Sequence, residues 1–288
     1  MILEWTEDAV DSAHYILRKL RNGASISYAQ NQEDIIARRL LKDRDWDLYI
    51  DAGAADPIWN SVTFGFYQDG FRGLTVDPRP DSMEAHRRVR PRDIQKQQAI
   101  SNFTGSSLLW EPSAATHATI SRSLGQILLA NDYSATASKI SVTTLGDLLR
   151  DVPHRQIGVC SIDVEGMELE ILEGLDLHEN RPILVVFESQ VPPISEDTAV
   201  FEELEHKVAK SRAFLEDLDY SLVFQDGIND FWIEGSRSLP TPTPVVPPNY
   251  YDNYVTYREV CLARAVVSLT RDSPGESRAE LVALPEDP

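Results

Sequence analysis

The sequence contains little cysteine and no long apolar segment. Only Cys160 and Cys261 occur among its 288 residues. Two cysteines are too few for a disulfide framework, so a reducing cytoplasm is the expected compartment. No segment approaches the roughly 20 consecutive apolar residues that a membrane-spanning helix requires. The first twenty residues carry acidic side chains and no apolar signal core, and we therefore expect no export signal.

Basic residues are also scarce. Lysine and arginine together number 27, against 46 aspartates and glutamates, which gives a formal net charge of −19. Nucleic-acid phosphates and anionic membrane surfaces attract basic proteins, so we expect neither as a partner. A hydrophobic content of 42% over this length is sufficient for the core of one large domain or two small ones. The one basic segment, residues 86–92 (HRRVRPR), is expected to be a solvent-exposed helix end.

Apolar strands and helix-periodic segments alternate between residues 47 and 188. The most apolar of them is 182–188 (PILVVFE), as is typical of a central parallel strand. Such an alternation predicts a parallel sheet covered by helices on both faces, with 94–101 as its third strand. Two further segments, 220–225 and 230–234, are predicted to form an antiparallel pair joined by a short turn.

The rest of the chain divides around this sheet. We predict an N-terminal helix within residues 1–26, a main domain over 27–235, and a proline-rich loop with a C-terminal extension over 236–288. Residues 102–140 are rich in Ser, Thr and Ala and are predicted to form an insertion or lid between the third and fourth strands. Because this segment has few apolar anchors, we expect it to be more mobile than the sheet.

Glycine is scarce where a diphosphate site would need it. The first strand of the sheet runs into the turn DAGAAD, residues 51–56, in which Gly53 is the one glycine. A dinucleotide site needs G-x-G-x-x-G before a helix N-terminus, and acids at positions 51 and 56 would repel a diphosphate. Asp77, at the end of the next strand, is placed to accept hydrogen bonds from both hydroxyls of a ribose. The pattern fits S-adenosylmethionine, which carries a sulfonium and an ammonium but no phosphate. The plain alternative is a tight turn that binds no ligand.

Acidic residues also follow the fourth and fifth strands. Asp163, Glu165 and Glu168 lie within six residues of one another, and Glu188 ends the fifth strand at the same edge. Clustered carboxylates raise one another's pKa unless they share a proton or a cation, so we favour a site role for Asp163 and Glu165. Glu168 is instead expected to stabilise the first turn of the following helix.

Six motifs follow one another over about residues 27–234. They are SYAQNQED (27–34), DAGAADP (51–57) with SVT (61–63), GFRG (70–73) before VDP (76–78), TTLGDLL (143–149), IDVEGME (162–168) and DGINDF (226–231). In this order they resemble the motifs of the FkbM-type S-adenosylmethionine-dependent methyltransferases. Two departures stand out: the glycine turn lacks its second and third glycines, and Gly146 replaces the first acid of a T-T-L-D-D-L-L segment.

The resemblance implies a Rossmann-like class I methyltransferase fold. In that fold a mostly parallel seven-stranded sheet carries helices on both faces and includes one antiparallel strand. The resemblance further implies methyl transfer from S-adenosylmethionine to a hydroxyl of a small molecule, a sugar or a polyketide-type natural product. By motif position, the residues implied to contact the cofactor are Glu33, Asp51, Gly53, Ala54, Asp77, Ile100, Ser101 and Asp163.

A hydroxyl acceptor must lose a proton, so a general base is expected. Asp163 is the first candidate because it ends a strand beside the glycine turn. Glu165, Glu188 and His117, the last within the 102–140 insertion, are further candidates. Asp163 with Glu188 could alternatively hold Mg²⁺, and the spacing of these residues does not decide between a base and a metal ligand. The sequence also leaves open whether the protein forms a homo-oligomer.

Two other classes of function compete with this interpretation. A nucleotide-binding oxidoreductase is disfavoured by the missing phosphate-binding glycines. A catalytically inactive methyltransferase domain that serves as a binding module is disfavoured because Asp51, Gly53, Asp77 and Asp163 are all present.

Overall fold

The structure, a computed structural model, describes residues 7–112, 118–131, 134–191, 198–235, 246–249 and 252–270. The predictions for the proline-rich segment 236–245 and for the residues after 270 lie outside this part. In chain order the elements are α1 (Glu7–Arg21), β1 (Ser25–Ser27), α2 (Glu33–Leu41), β2 (Leu48–Ala52), α3 (Phe64–Gln68), β3 (Arg72–Asp77), α4 (Pro80–Val89), β4 (Ile94–Gln97), β5 (Ala99–Ser101), β6 (Gly105–Glu111), α5 (Arg122–Asn131), β7 (Thr136–Thr144), α6 (Leu145–Leu149), β8 (Ile157–Ile162), α7 (Glu168–Gly174), β9 (Leu184–Glu188), α8 (Thr198–Asp217), β10 (Tyr220–Gln225), β11 (Asn229–Glu234), β12 (Tyr254–Thr256) and α9 (Tyr257–Thr270).

A central seven-stranded sheet has the strand order β10-β11-β9-β8-β2-β3-β4. β2 pairs in parallel with both β3 and β8, and the parallel pattern continues to β4 and β9. β11 is antiparallel to both of its neighbours, β9 and β10, and a short turn joins it to β10 as a hairpin. The predicted α/β fold class, a mostly parallel sheet of seven strands with one reversed strand, is confirmed.

Two hydrophobic cores cover the two faces of this sheet. Along β2, Ile50 belongs to one core and the adjacent Tyr49 to the other, since successive side chains of a strand point to opposite faces. The first core takes apolar residues from α6, α7 and α8, and the second takes them from α2 and α3. Helices therefore cover both faces, which explains why β2, β8 and β9 read as nearly continuous apolar segments.

The predicted third strand is interrupted, and the insertion after it is folded. Instead of one strand over 94–101, β4 joins the central sheet and β5 joins a separate sheet with the order β5-β7-β6. The backbone N–H of Gln98, between them, donates to the carbonyl of Asp77 (3.1 Å), and the chain then turns away from the sheet edge. Most of the 102–140 segment forms β6, α5 and the start of β7, so its Ser and Thr content reflects an exposed antiparallel pair.

The two ends of the described chain pack against each other. β1 pairs in parallel with β12, and Leu17 of α1 shares a small apolar cluster with Val266 of α9. The helix α9 was not predicted from the sequence. The division of the chain into domains stays a prediction. Among the described residues, no helix is sufficiently long and apolar to cross a bilayer.

Candidate active site

A cleft of about 580 Å³ opens at the carboxyl ends of β2, β8 and β9. This is the point where the strand order reverses, since the chain leaves β2 toward β3 on one side and returns as β8 on the other. Open α/β sheets bind ligands at such a point, and the volume falls in the range of small-molecule sites. The predicted site residues that line the cleft are Glu33, Asp51, Gly53, Ala54, Asp163, Glu165 and Glu188.

A smaller cavity of about 70 Å³ continues from the cleft toward β3 and β5. Asp77 and Ile100 line it, whereas Gly53 and Asp163 line both spaces. Ser101, also predicted to contact the cofactor, lines neither; its side chain is fully buried and its hydroxyl lies 3.5 Å from the side-chain oxygen of Asn102. Ile100 therefore lines the site, whereas Ser101 does not.

Gly53 holds the ends of β2 and β8 together. Its φ is +85°, a value that favours glycine, and a Cβ there would lie 1.7 Å from the carbonyl oxygen of Asp163. The backbone N–H of Asp163 in turn donates to the carbonyl of Ala52 (2.9 Å). The glycine at this position is therefore required for the close approach of Asp163 to the turn.

The carboxylate of Asp77 already accepts four hydrogen bonds. Its Oδ1 accepts from the backbone N–H of Arg79 (2.8 Å) and from Nε of the same residue (3.1 Å). Its Oδ2 accepts from the backbone N–H of Ala55 (3.0 Å) and from the Arg79 guanidinium (3.2 Å). A carboxylate offers about four acceptor positions, so a ribose can bind here only when the Arg79 side chain moves away.

Asp51 belongs to a buried network around Arg90. The guanidinium of Arg90 donates to Thr63 Oγ1 (2.8 Å) and to the carbonyl of Pro57 (2.8 Å), and it lies 3.4 Å from the Asp51 carboxylate. Thr63 also donates its hydroxyl proton to Asp51. The expectation that residues 86–92 are a solvent-exposed helix end is wrong for His86 and Arg90, which are fully buried. Arg90 fastens the 53–63 loop that forms one wall of the cleft.

Glu33 faces the cleft from the first turn of α2. One of its carboxyl oxygens accepts from the backbone N–H of Asn31 (2.7 Å) and the other from the side-chain amide of Asn229 (3.0 Å). Burial raises the pKa of Glu33 to about 7. Asn229, which also lines the cleft, was not among the predicted site residues, although the DGIND motif contained it.

The acidic residues after β8 have different environments. Asp163 is exposed, whereas Glu168 is buried and accepts hydrogen bonds from the backbone N–H groups of Val164 (3.3 Å) and Gly166 (3.1 Å). Burial raises the pKa of Glu168 to about 7. Its place at the start of α7 agrees with a role in stabilising this turn.

Glu165 and Glu188 complete the acidic side of the cleft. Glu165 has a φ of +55°, an uncommon backbone conformation for a side chain of this kind, and its carbonyl accepts from Thr119 Oγ1 (2.8 Å). Thr119 comes from the 102–140 insertion, which therefore reaches the site. Burial, followed by the nearby charges of Asp163, Glu165 and Glu168, raises the pKa of Glu188 to about 9. With this pKa the Glu188 carboxyl is protonated at neutral pH, so it can donate one hydrogen bond through its O–H while its carbonyl oxygen can still accept.

Two further predictions about the site concern His117 as a candidate base and a site for Mg²⁺. His117 lies outside the described residues. In the part of the chain that the structure describes, no three His, Cys, Asp or Glu side chains are grouped so that they could hold a metal ion.

The raised pKa of Glu188 predicts a pH-dependent stability. Between the unfolded pKa, 4.5, and the folded pKa, about 9, the folded state keeps a proton that the unfolded state has released. The free energy of unfolding therefore falls as pH rises through this window. We expect Glu188→Gln to melt at a higher temperature than the native protein near pH 8 and at a similar temperature near pH 4. Thermal denaturation across pH measures this, and an advantage that grows toward acid pH would contradict the assignment.

Similar proteins are found among protein families and among solved structures. The family model described as the methyltransferase FkbM domain matches residues 51–222. Among solved structures, the O-methyltransferase from Bacillus cereus in complex with SAH is 10% identical, with a TM-score of 0.38, over 81% of this chain and 91% of that chain. A putative O-methyltransferase from Klebsiella pneumoniae is 12% identical, with a TM-score of 0.38, over 81% of this chain and 93% of that chain. No curated protein matches the sequence.

Proposed function

Because the chain belongs to the FkbM methyltransferase family, we propose that it transfers a methyl group from S-adenosylmethionine to a hydroxyl of a small molecule. The acceptor we propose is a sugar or a polyketide-type natural product. The observation that carries the proposal is the cleft between β2 and β8, where Gly53, Asp77 and Asp163 surround one space and its side cavity. Binding of the S-adenosyl group in this cleft is part of the proposal.

The lining of the cleft fits a cationic cofactor that has no phosphate. Among the lining residues that the structure describes, seven are acidic, and the one basic residue, Arg79, is paired with Asp77. Although Glu188 is protonated at neutral pH and Asp51 lies beside Arg90, the remaining carboxylates make a surface that attracts a sulfonium or an ammonium and repels a pyrophosphate. Ile100 and Leu109, both buried, line the side cavity and offer apolar contact to an adenine ring. The seven acidic residues are Glu33, Asp51, Asp56, Asp81, Asp163, Glu165 and Glu188.

When bound, S-adenosylmethionine supplies a methyl group that the sulfonium has already activated. The protein then contributes mainly position and orientation, together with removal of the acceptor's hydroxyl proton. Asp163 is the proposed base because it lines both the side cavity and the cleft and is exposed to a ligand there. Glu188, protonated at neutral pH, is a poor base and is proposed to donate a hydrogen bond to the acceptor. In the alternative, Asp163 and Glu188 together hold Mg²⁺. The effect of chelation on activity distinguishes this role from that of a general base.

Calorimetric titration with S-adenosylhomocysteine and, separately, with NAD tests the cofactor assignment. We expect S-adenosylhomocysteine to bind and NAD not to bind, because the acidic turn at residues 51–56 repels a diphosphate. Mass spectrometry of the purified protein provides an independent check, since a bound S-adenosyl compound would be detected directly. Tight binding of NAD without binding of S-adenosylhomocysteine would support an oxidoreductase instead.

Asp77→Ala is expected to weaken binding of S-adenosylhomocysteine by roughly 1.5–3 kcal/mol, the range for hydrogen bonds to a charged group. The physical reason is the loss of a carboxylate at the proposed ribose position. Calorimetry measures the change, and Glu84→Ala, an exposed acidic residue on α4 that lines neither space, is the matched control. Equal affinities of Asp77→Ala and the native protein would place the ribose elsewhere.

Arg79→Met is expected to act in the opposite direction. Because the Arg79 guanidinium occupies acceptor positions of Asp77 that the ribose needs, its removal should tighten binding of S-adenosylhomocysteine by roughly 3- to 10-fold. Arg87→Met, an exposed arginine on the same helix, controls for the loss of one positive charge. Weaker binding by Arg79→Met would instead identify this side chain as a direct ligand of the cofactor.

A further inference from the structure

We propose that Trp59, supported by Tyr257 of the C-terminal helix, is the acceptor-binding wall of the cleft and selects a ring compound without negative charge. This inference rests on the proposed function, because it divides the same cleft between a cofactor and an acceptor. It places the acceptor at the 53–63 loop and the C-terminal helix rather than only at the 102–140 insertion.

Trp59 is an exposed aromatic residue inside a ligand-sized cleft. Its side chain is 47% exposed, whereas the other tryptophans that the structure describes, Trp46, Trp110 and Trp232, are buried. A large ring that stays accessible in a concave site is typical of a recognition surface, since tryptophan offers a wide apolar face at little loss of conformational freedom. Trp59 is thus the tryptophan placed to contact a bound ring.

The backbone on both sides of Trp59 is fixed. The N–H groups of Ile58 and Trp59 both donate to one carboxylate oxygen of Asp56, each at 2.8 Å. Asn60, the next residue, adopts a left-handed conformation with a φ of +59°. A turn held in this way fixes the point from which the indole projects into the cleft, so a ligand that stacks on it does not have to order the backbone of this turn.

A row of aromatic rings supports Trp59 from behind. Its ring centroid lies 4.9 Å from that of Tyr257, at the start of α9, in an edge-to-face arrangement. Tyr257 in turn lies 5.1 Å from Tyr28, and Tyr28 lies 4.7 Å from Phe64 in the core. Through these contacts α9, almost two hundred residues away in sequence, packs against the cleft wall.

The two parts of the site have different linings. Asp77 and Ile100 line only the side cavity, and Trp59 and Asn229 line only the cleft. Asp163 lines both, which is the position required of a group between cofactor and acceptor. The side-chain amide nitrogen of Asn229 donates to Glu33 (3.0 Å) and to Asp226 (3.1 Å), so its carbonyl oxygen is the atom placed to accept a hydrogen bond from a ring hydroxyl.

The charge of the lining excludes anionic acceptors. Asp56 and Asp81 add to the carboxylates around Asp163, and Arg79 is the one basic residue among the described lining residues. Even when a ribose displaces Arg79 from Asp77, the carboxylates of the lining outnumber this cation, so an acceptor with a carboxylate or phosphate meets net repulsion. A neutral ring is not subject to this repulsion.

The test uses two pairs of ring probes that differ mainly in charge: methyl glucoside against glucuronate, and benzyl alcohol against benzoate. Saturation-transfer NMR measures their binding to the full-length protein loaded with S-adenosylhomocysteine. We expect a signal from at least one neutral probe and none from its anionic counterpart. Trp59→Ala should weaken that binding about 10-fold and Trp59→Phe about 3-fold, with the affinity for S-adenosylhomocysteine unchanged within about twofold.

Tyr257→Ala is expected to weaken binding of the neutral probe by about 3-fold. Leu262 is an exposed residue of the same helix, and Leu262→Ala should leave this binding unchanged. Equal binding of neutral and anionic probes, no signal from either neutral probe, or full binding by Trp59→Ala would each overturn the inference. If the native protein binds S-adenosylhomocysteine while one of these results is obtained, only this inference fails. If it does not bind S-adenosylhomocysteine, the proposed function fails with it.

Discussion

Arg90→Met is expected to lower the free energy of unfolding by about 3–5 kcal/mol, the range found when one partner of a buried ion pair is removed. The Arg90 side chain is fully buried and lies 3.4 Å from the Asp51 carboxylate and 4.0 Å from that of Asp93. Even beside this cation, burial raises the pKa of Asp93 to about 6. Without Arg90, the Asp51 carboxylate and the carbonyl of Pro57 would lose a buried donor, and the Asp93 carboxylate would lose a nearby positive charge.

Urea denaturation measures the Arg90 effect, with Arg87→Met as the matched control on the same helix. Arg87 is exposed, so its replacement should change the free energy of unfolding by less than about 0.5 kcal/mol. Arg90→Lys should lie between the two, because lysine keeps the charge but cannot reproduce the planar fork. A loss by Arg90→Met that is no larger than the Arg87→Met loss would show that the network contributes little stability.

Asp163→Asn is expected to reduce methyl transfer by about 10²–10⁴-fold, the usual range for loss of a general base. Asparagine keeps the volume of the side chain but does not accept a proton at neutral pH. Because Asp163 is exposed, stability and affinity for S-adenosylhomocysteine should change little. A large fall in turnover with unchanged cofactor affinity is therefore the expected combination, measured by product formation and calorimetry.

Asp217→Asn, an exposed residue at the end of α8, is the control for Asp163→Asn. Chelation followed by addition of Mg²⁺ separates the two roles open to Asp163. Activity that survives chelation supports the base, and activity that is lost and then restored by Mg²⁺ supports a metal ligand. Normal turnover by Asp163→Asn would assign a structural role to this residue, and the base would then be sought at Glu165.

Several features of the site depended on burial that the sequence does not express. From the sequence, Glu188 is a further candidate base after Asp163, since each ends or follows a strand at the same edge. Burial and three neighbouring carboxylates raise the pKa of Glu188 to about 9, whereas Asp163 is exposed. Likewise, Arg90 belonged to an apparently exposed basic segment, and only packing against Asp51 and Pro57 makes it structural.

The sequence by itself determined the fold class and the edge of the sheet where the site lies. Local patterns suffice for this. Each pattern involves only a few neighbouring positions, as in the apolar strands, the turn at residues 51–56 and the acids after β8. Because parallel strands bring their carboxyl ends together, residues that follow different strands are then expected at one edge of the sheet. Only the tertiary structure decided that Arg90 lies beside Asp51 and that Tyr257 contacts Trp59. Contacts of the second kind, between positions far apart in the chain, depend on the packing of whole elements, and no local periodicity encodes them.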